Sequence, residues 1–151
     1  MFRVTRAEEQ AVRLVMRMAH LGTQATLGEL AEAEALPEPT VAKLLGMLRR
    51  AGVVDAVRGR YGGYVLGAAP ERISAAKVIC AVSGDPIVGV PCGDDDPPHC
   101  PRTGDCGLRP VWQHLENRLT EVLEQTSVAD LLKREADAHE NLRRLWPLDG
   151  E

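Results

Sequence analysis

Three cysteines, Cys92, Cys100 and Cys106, stand in the stretch CGDDDPPHCPRTGDC, at the spacing Cys-x7-Cys-x5-Cys. Prolines, glycines and aspartates fill the gaps and no apolar period runs through them, so the stretch reads as a loop. Such a loop buries little apolar surface to offset the entropy of ordering it. Three thiolates on one short loop suit a metal or cluster, whose binding would supply that order. Thiolates favour zinc, Cu(I) and iron–sulfur clusters. Structural zinc sites usually use closely spaced cysteine pairs. Gaps of seven and five residues contain no such pair. Wide spacing suits a cluster better, because each cysteine can reach a different iron. One ligand beyond the three cysteines is then needed. His99, beside Cys100, or a carboxylate could supply it, whereas Asp94–Asp96 read as solvating the loop. A zinc site, and a cluster-free thiol sensor whose cysteines form disulfides on oxidation, stay open as alternatives. The fourth cysteine, Cys80, falls in an apolar helix and reads as a small core residue.

The chain that carries this loop has 151 residues, enough for one domain, or a small domain with an appendage. Apolar residues make up 44% and aromatic residues only 3%, so the core must be aliphatic and the chain mainly helical. No apolar run approaches the roughly 20 residues that span a bilayer. The N-terminal MFRVTRAEEQ is charged and lacks the apolar centre of a signal peptide. A cytoplasmic protein is expected, with no membrane partner. In that compartment clustered cysteines point to metal or redox chemistry. The net charge of −4 conceals an asymmetry. Residues 1–67 carry nine Lys/Arg against seven Asp/Glu, and residues 68–151 nine against fifteen. Within 36–67 the count is five against two. A local basic patch on an acidic protein is what DNA binding needs.

The elements around that patch are legible. Thr5-x-x-Glu8 is a capping box opening a first helix, with Ala11, Val12, Val15, Met16 and Ala19 at helical spacing and Gly22 at its end. Glu8 and Glu9 sit in the first turn, where the helix dipole favours anions. Thr26-x-x-Glu29 opens a second helix, Leu27 to Glu34, followed by the turn Ala35-Leu36-Pro37. Pro39 suits the first turn of a third helix that buries Val41, Leu44, Leu45 and Leu48 and closes at Gly52. Its other side carries Thr40, Lys43, Met47 and Arg50. Two short capped helices with a tight turn read as helix-turn-helix, or as an ordinary helical pair. The strand Val53–Val57, the turn Arg58–Gly63 and the strand Tyr64–Leu66 then form a β-hairpin, which in this place is a wing. Arg58 and Arg60, with Tyr61, stand at its tip, where arginines meet phosphate or a narrow minor groove. No Gly-Lys-Ser/Thr follows these glycines, which excludes a P-loop. Ser74 caps a helix from Ala75 to about Val82. Beyond the cysteine loop, Leu108, Val111, Trp112, Leu115, Leu119, Val122 and Leu123 form one apolar stripe on a long helix. A second copy of the chain is the economical partner for it. A short helix through Leu131 and Leu132 follows, then a charged tail.

The run LLGMLRRAGVVDAVRGRYGGYVLG, Leu44 to Gly67, carries a resemblance together with the three-cysteine loop and the Trp112 helix ending in SVADLL. In order and distance these resemble the winged-helix family of iron–sulfur regulators that includes IscR, the regulator of iron–sulfur assembly, and NsrR, the nitric-oxide-responsive repressor. The resemblance spans roughly residues 3–134. It implies that Cys92, Cys100 and Cys106 hold an iron–sulfur cluster, 4Fe–4S or 2Fe–2S. In IscR-like members a histidine three residues after the last cysteine completes the site; here that position is Arg109. In NsrR-like members an acidic residue near the start of the first helix of the other subunit does so. That residue corresponds to Glu9, with Glu8 as its neighbour. The family's base-contacting positions fall on Thr40 and Lys43, with Ala42 where some members carry glutamate. The first cysteine gap is longer than is usual in the family.

The expectation is a mainly α protein with a small β-hairpin wing: a winged helix-turn-helix plus a long dimerisation helix. Residues 1–83 form the DNA-binding domain and 84–107 the cluster loop. Residues 108–134 form the dimerisation helix with the helix after it, and 135–151 the charged tail. The function read from this is a homodimeric transcriptional regulator, a repressor, that binds an operator in double-stranded DNA. Its candidate DNA contacts are Thr40, Lys43, Arg50, Arg58, Arg60 and Tyr61. Its affinity is controlled by a cluster that senses nitric oxide, redox state or cluster supply. No nucleotide motif or nucleophile–base constellation supports an enzyme.

Overall fold

Threonine caps open the first two helices. In the computed structural model, which describes residues 4–84, 106–133 and 144, α1 runs Arg6–Leu21 and α2 Leu27–Glu34. Both capping boxes are complete, through Thr5 with Glu8 and Thr26 with Glu29. Gly22 ends α1 in the left-handed conformation at φ 63°. Ala35 takes the same conformation at the end of α2, φ 51°, where a residue with a Cβ is disfavoured by about 1–2 kcal/mol. That turn leads into α3, Glu38–Arg50, through Pro37 and Pro39. The antiparallel hairpin is β1, Val54–Val57, and β2, Gly63–Leu66, with Val54 opposite Leu66 and Val57 opposite Gly63. A 3₁₀ turn at Pro70–Arg72 precedes α4, Ala75–Ser83. Past the three cysteines come α5, Arg109–Gln125, and α6, Val128–Leu132.

The core joins all of these except α5. Ala11, Leu14, Val15 and Met18 of α1 lie against Leu30 of α2, Val41, Leu44, Leu45 and Leu48 of α3, and Val78 of α4. Val53, Val54, Ile73 and Val128 complete it. The buried face of α1 is centred on Leu14 and Met18, whereas Val12, Met16 and Ala19 pack at its edge. Because α1 meets α2, α3, α4 and α6, its apolar face is wider than a single stripe. Cys80 departs from its expected place in the core: it is exposed. On α4 the buried residues are Ala75, Ala76, Val78 and Ile79, and Cys80 falls with Lys77 on the solvent side. Apolar neighbours in sequence do not bury a residue on the wrong side of a helix.

The long helix behaves differently from the rest. No residue of α5 is fully buried. Its second half, Leu119, Val122 and Leu123, is half-buried. Leu108 just before it, and Val111, Trp112 and Leu115 in its first turns, are 54%, 50%, 36% and 40% exposed. The C-terminal end of α5 is stitched down by backbone bonds from Ala75 N–H to Thr126 O and from Val128 N–H to Ile73 O, each 2.8 Å. Ser127 then caps α6 in a third capping box, with Asp130. The Asp130 carboxyl is held down to about 2, first by the Lys133 ammonium and then by the Ser127 hydroxyl. Its contribution to stability is therefore complete above the ordinary carboxyl value of 3.8 and lost as pH falls through about 2. Ser127→Ala is expected to cost about 1 kcal/mol in urea unfolding at neutral pH, with a smaller difference from wild type near pH 2.

Candidate nucleic-acid interface and metal-ligand positions

Helix α3 separates two sets of side chains. Val41, Leu44, Leu45 and Leu48 are buried. Lys43 and Arg50 are exposed, with Arg49 beside them, and Thr40 and Met47 are half-buried along the same outward face. The spacing 40, 43, 47, 50 repeats every three or four residues, which aligns one side of a helix. Side chains of this face can reach base edges once α3 enters a major groove. Arg49 was not singled out from the sequence; adjacency to Arg50 was the available signal.

The wing is held to the helices by a pairing invisible in the pattern of residues. Ala25, one residue before the α2 cap, exchanges both backbone hydrogen bonds with Tyr64, at 3.0 and 2.8 Å. The Gln24 side-chain amide donates to Tyr61 O. A Cβ at Gly63 would lie 2.6 Å from Ala25 O, so only glycine permits this approach. A Cβ at Gly62 would lie 2.7 Å from Val57 O across the turn. The tip is thereby set out into solvent: Arg58, Gly59, Arg60 and Tyr61 are all exposed, Tyr61 at 84%. Two cations and an unshielded aromatic ring at a fixed tip are suited to phosphates and to a groove wall. Arg58→Ala is expected to weaken DNA binding several-fold and to lower the salt slope of log K by about one. Fluorescence anisotropy across a salt series checks it; an unchanged slope would remove Arg58 from the interface.

The candidate metal ligands divide between described and undescribed residues. Cys92 and Cys100, with His99, lie outside the described residues. Cys106 is a free, half-buried thiol two residues before Leu108, at the foot of α5. Glu8 is buried, 6% exposed, and committed to the capping box with Thr5. Glu9 is exposed, and its carboxylate meets Arg13 at 3.5 Å across one turn. An exposed carboxylate with one weak pair is available to coordinate a metal, whereas Glu8 would have to give up its capping bonds to do so. Arg109, in the first turn of α5, offers no metal-binding lone pair. Among the described residues no three His, Cys, Asp or Glu side chains gather into a metal site. Cys106 and Glu9 of one chain therefore do not form one by themselves. A soft thiolate set completed by a hard carboxylate fits an iron–sulfur group in donor chemistry. Among the described residues no helix is long and apolar enough to cross a membrane.

One ion network was not read from the sequence. Glu34, the last residue of α2, is 7% exposed. Its two carboxylate oxygens accept from Arg13 Nε at 3.0 Å and Arg17 Nε at 2.8 Å, and Arg13 Nη2 donates to its carbonyl at 3.1 Å. These bonds tie α1 to the end of α2, directly before the turn into α3. Arg13 and Arg17 stand four apart on α1, but nothing in the sequence shows that an acidic residue of another helix lies between them.

The chain matches the Rrf2 family, described as an iron-dependent transcriptional regulator, over residues 4–134. It is similar to the HTH-type transcriptional regulator CymR of Bacillus subtilis, at 35% identity over 70% of this chain and 70% of the relative. The solved structure of that protein, the global cysteine regulator, superposes with a TM-score of 0.70 over 87% of this chain and 97% of the other, at 28% identity. The HTH-type transcriptional repressor NsrR of Streptomyces coelicolor is 32% identical over 86% of this chain and 88% of its own. The structure of T. potens IscR has a TM-score of 0.68 and 26% identity, over 91% of this chain and 89% of that one. A helix-turn-helix with an exposed basic face, a tethered basic wing and this extended likeness lead to one conclusion: the chain belongs to the Rrf2 family of transcriptional regulators, which are DNA-binding proteins and not enzymes.

Proposed function

We propose that the protein is a homodimeric repressor whose operator affinity is set by an iron–sulfur cluster held by Cys92, Cys100 and Cys106, with Glu9 of the partner subunit as the fourth ligand. The observation that carries this reading is the place of Cys106. It ends the cysteine loop at the foot of α5, next to the four exposed apolar side chains from Leu108 to Leu115. An apolar face of that kind favours a second copy, and a group held by this loop would then sit at the subunit boundary. When bound, the cluster supplies chemistry that responds to nitric oxide or oxidants. The rest is the work of the chain. Glu9 lies on the α1 face that also carries Arg13, and Arg13 and Arg17 grip Glu34 at the end of α2. A change in how α1 is held is thus passed to the helix-turn-helix, and the two recognition helices shift in spacing. The signal acts by favouring one of the two dimer arrangements.

The deciding measurement is iron and acid-labile sulfide content with a visible spectrum, on protein purified without oxygen and titrated with nitric oxide. Bound iron and sulfide with bleaching on titration support the reading. Cys100→Ala is expected to lose the iron and keep its far-UV circular dichroism; full iron loading in that variant would refute the ligand assignment. A second reading, a cluster-free thiol regulator, is favoured by the likeness to the cysteine regulator CymR and by exposed Cys80. Colourless protein that cannot be reconstituted, and whose DNA affinity falls on oxidation and returns with reductant, would establish it instead.

A further inference from the structure

Between α1, the end of α2 and α6 lies an open groove of about 250 Å³, lined by Arg13, Met16, Arg17, His20, Glu34 and Leu132. Its lining holds two guanidinium groups and one carboxylate. The single carboxylate, Glu34, has both oxygens taken by the Nε groups of Arg13 and Arg17. Arg17 makes only that bond, so among the described residues its two terminal nitrogens meet no protein acceptor. Two guanidinium groups share the Glu34 carboxylate, Arg13 also meeting exposed Glu9 at 3.5 Å, with the His20 ring at the same groove. Met16 and Leu132 supply apolar wall beside these donors, and Leu132 is exposed. A planar guanidinium presenting two parallel N–H groups matches a carboxylate. An apolar wall next to it matches a short hydrocarbon chain. The volume lies below the range that holds drug-sized ligands, which limits the guest to a small molecule.

We infer that this groove binds a small monoanionic organic acid, its carboxylate on the free end of Arg17 and its apolar tail along Met16 and Leu132. The site is separate from the proposed cysteine ligands and from the DNA face of α3. It lies on the contact that ties α1 to the end of α2, where Glu34 precedes the turn into the recognition helix.

Isothermal titration of the full-length dimer at fixed ionic strength tests this, with hexanoate as the probe. Acetate has the charge without the tail, and hexan-1-ol the tail without the charge. Saturable hexanoate binding is expected, stronger than for either control. Arg17→Gln should weaken it by about tenfold or more. Glu34 keeps Arg13 in that variant, and circular dichroism verifies the fold. Should Arg17→Gln fail to fold, Leu132→Glu, at an exposed position, gives the same test by placing a tethered carboxylate in the groove, and it should abolish binding. Equal binding of hexan-1-ol, absence of saturation, or full affinity in the two variants would overturn the inference. So would binding that appears only when the dimer is split, because a second copy would then occupy the groove.

Discussion

Leu115→Glu is expected to convert the protein to monomers and to lower its affinity for DNA by about 100-fold or more. Leu108, Val111, Trp112 and Leu115 form a contiguous apolar surface that nothing in one chain covers among the described residues. In the proposed dimer a carboxylate placed there would be desolvated against the partner's equivalent apolar surface, and twice over, since a two-fold interface repeats every residue. Each subunit then reaches its half-site alone and loses the gain from linking two contacts. The fold of the monomer should survive, because α5 contributes no fully buried residue and is anchored at its other end through Thr126 and Val128. Analytical ultracentrifugation reads the oligomer. Fluorescence anisotropy on a duplex selected by the wild-type protein from a random pool reads the affinity. A variant that stays dimeric and binds normally would show that α5 is not the interface.

Leu45→Ala is expected to destabilise the protein by about 2–5 kcal/mol, the range for truncating a fully buried leucine. Leu45 has no exposed surface, and it sits in the core with Leu44 and Leu48 of the same helix. The loss appears as a lower denaturation midpoint. DNA affinity should fall only insofar as the folded fraction falls. Lys43→Ala, two residues away on the exposed face of α3, should do the reverse. It removes no core contact, so stability stays within about 0.5 kcal/mol, while affinity for DNA drops. Urea unfolding and anisotropy on both variants separate the two faces. If Lys43→Ala destabilised and left binding intact, α3 would not be the recognition helix.

Much of the scaffold could be read before any coordinates. Thr5 and Thr26 announced α1 and α2, because each capping box satisfies exposed backbone donors with residues three apart. Gly22 marked the end of α1, and the glycine-rich turn Arg58–Gly63 between two short strands marked the wing. Local hydrogen bonding decides these features, so local sequence suffices. Cys80 was misplaced because apolar neighbours do not report which side of a helix faces the core. The apolar stripe of α5 was legible as a stripe. That its first half stands exposed while its second half packs on the domain was not, since this depends on where α4 and α6 lie.

The functional positions divide in the same way. The outward face of α3 and the arginines of the wing followed from periodicity and turn chemistry. The tether of Ala25 to Tyr64, the commitment of Glu8 to its cap while Glu9 stays exposed, and the grip of Arg13 and Arg17 on Glu34 did not. The sequence by itself determined the order of the elements, the basic face and the presence of three thiols in one short stretch, because these rest on residue type and short-range spacing. The tertiary structure decided which side chains from distant elements meet. A contact between residues far apart in the chain has no local signature and forms only when packing of the shared core brings its helices together.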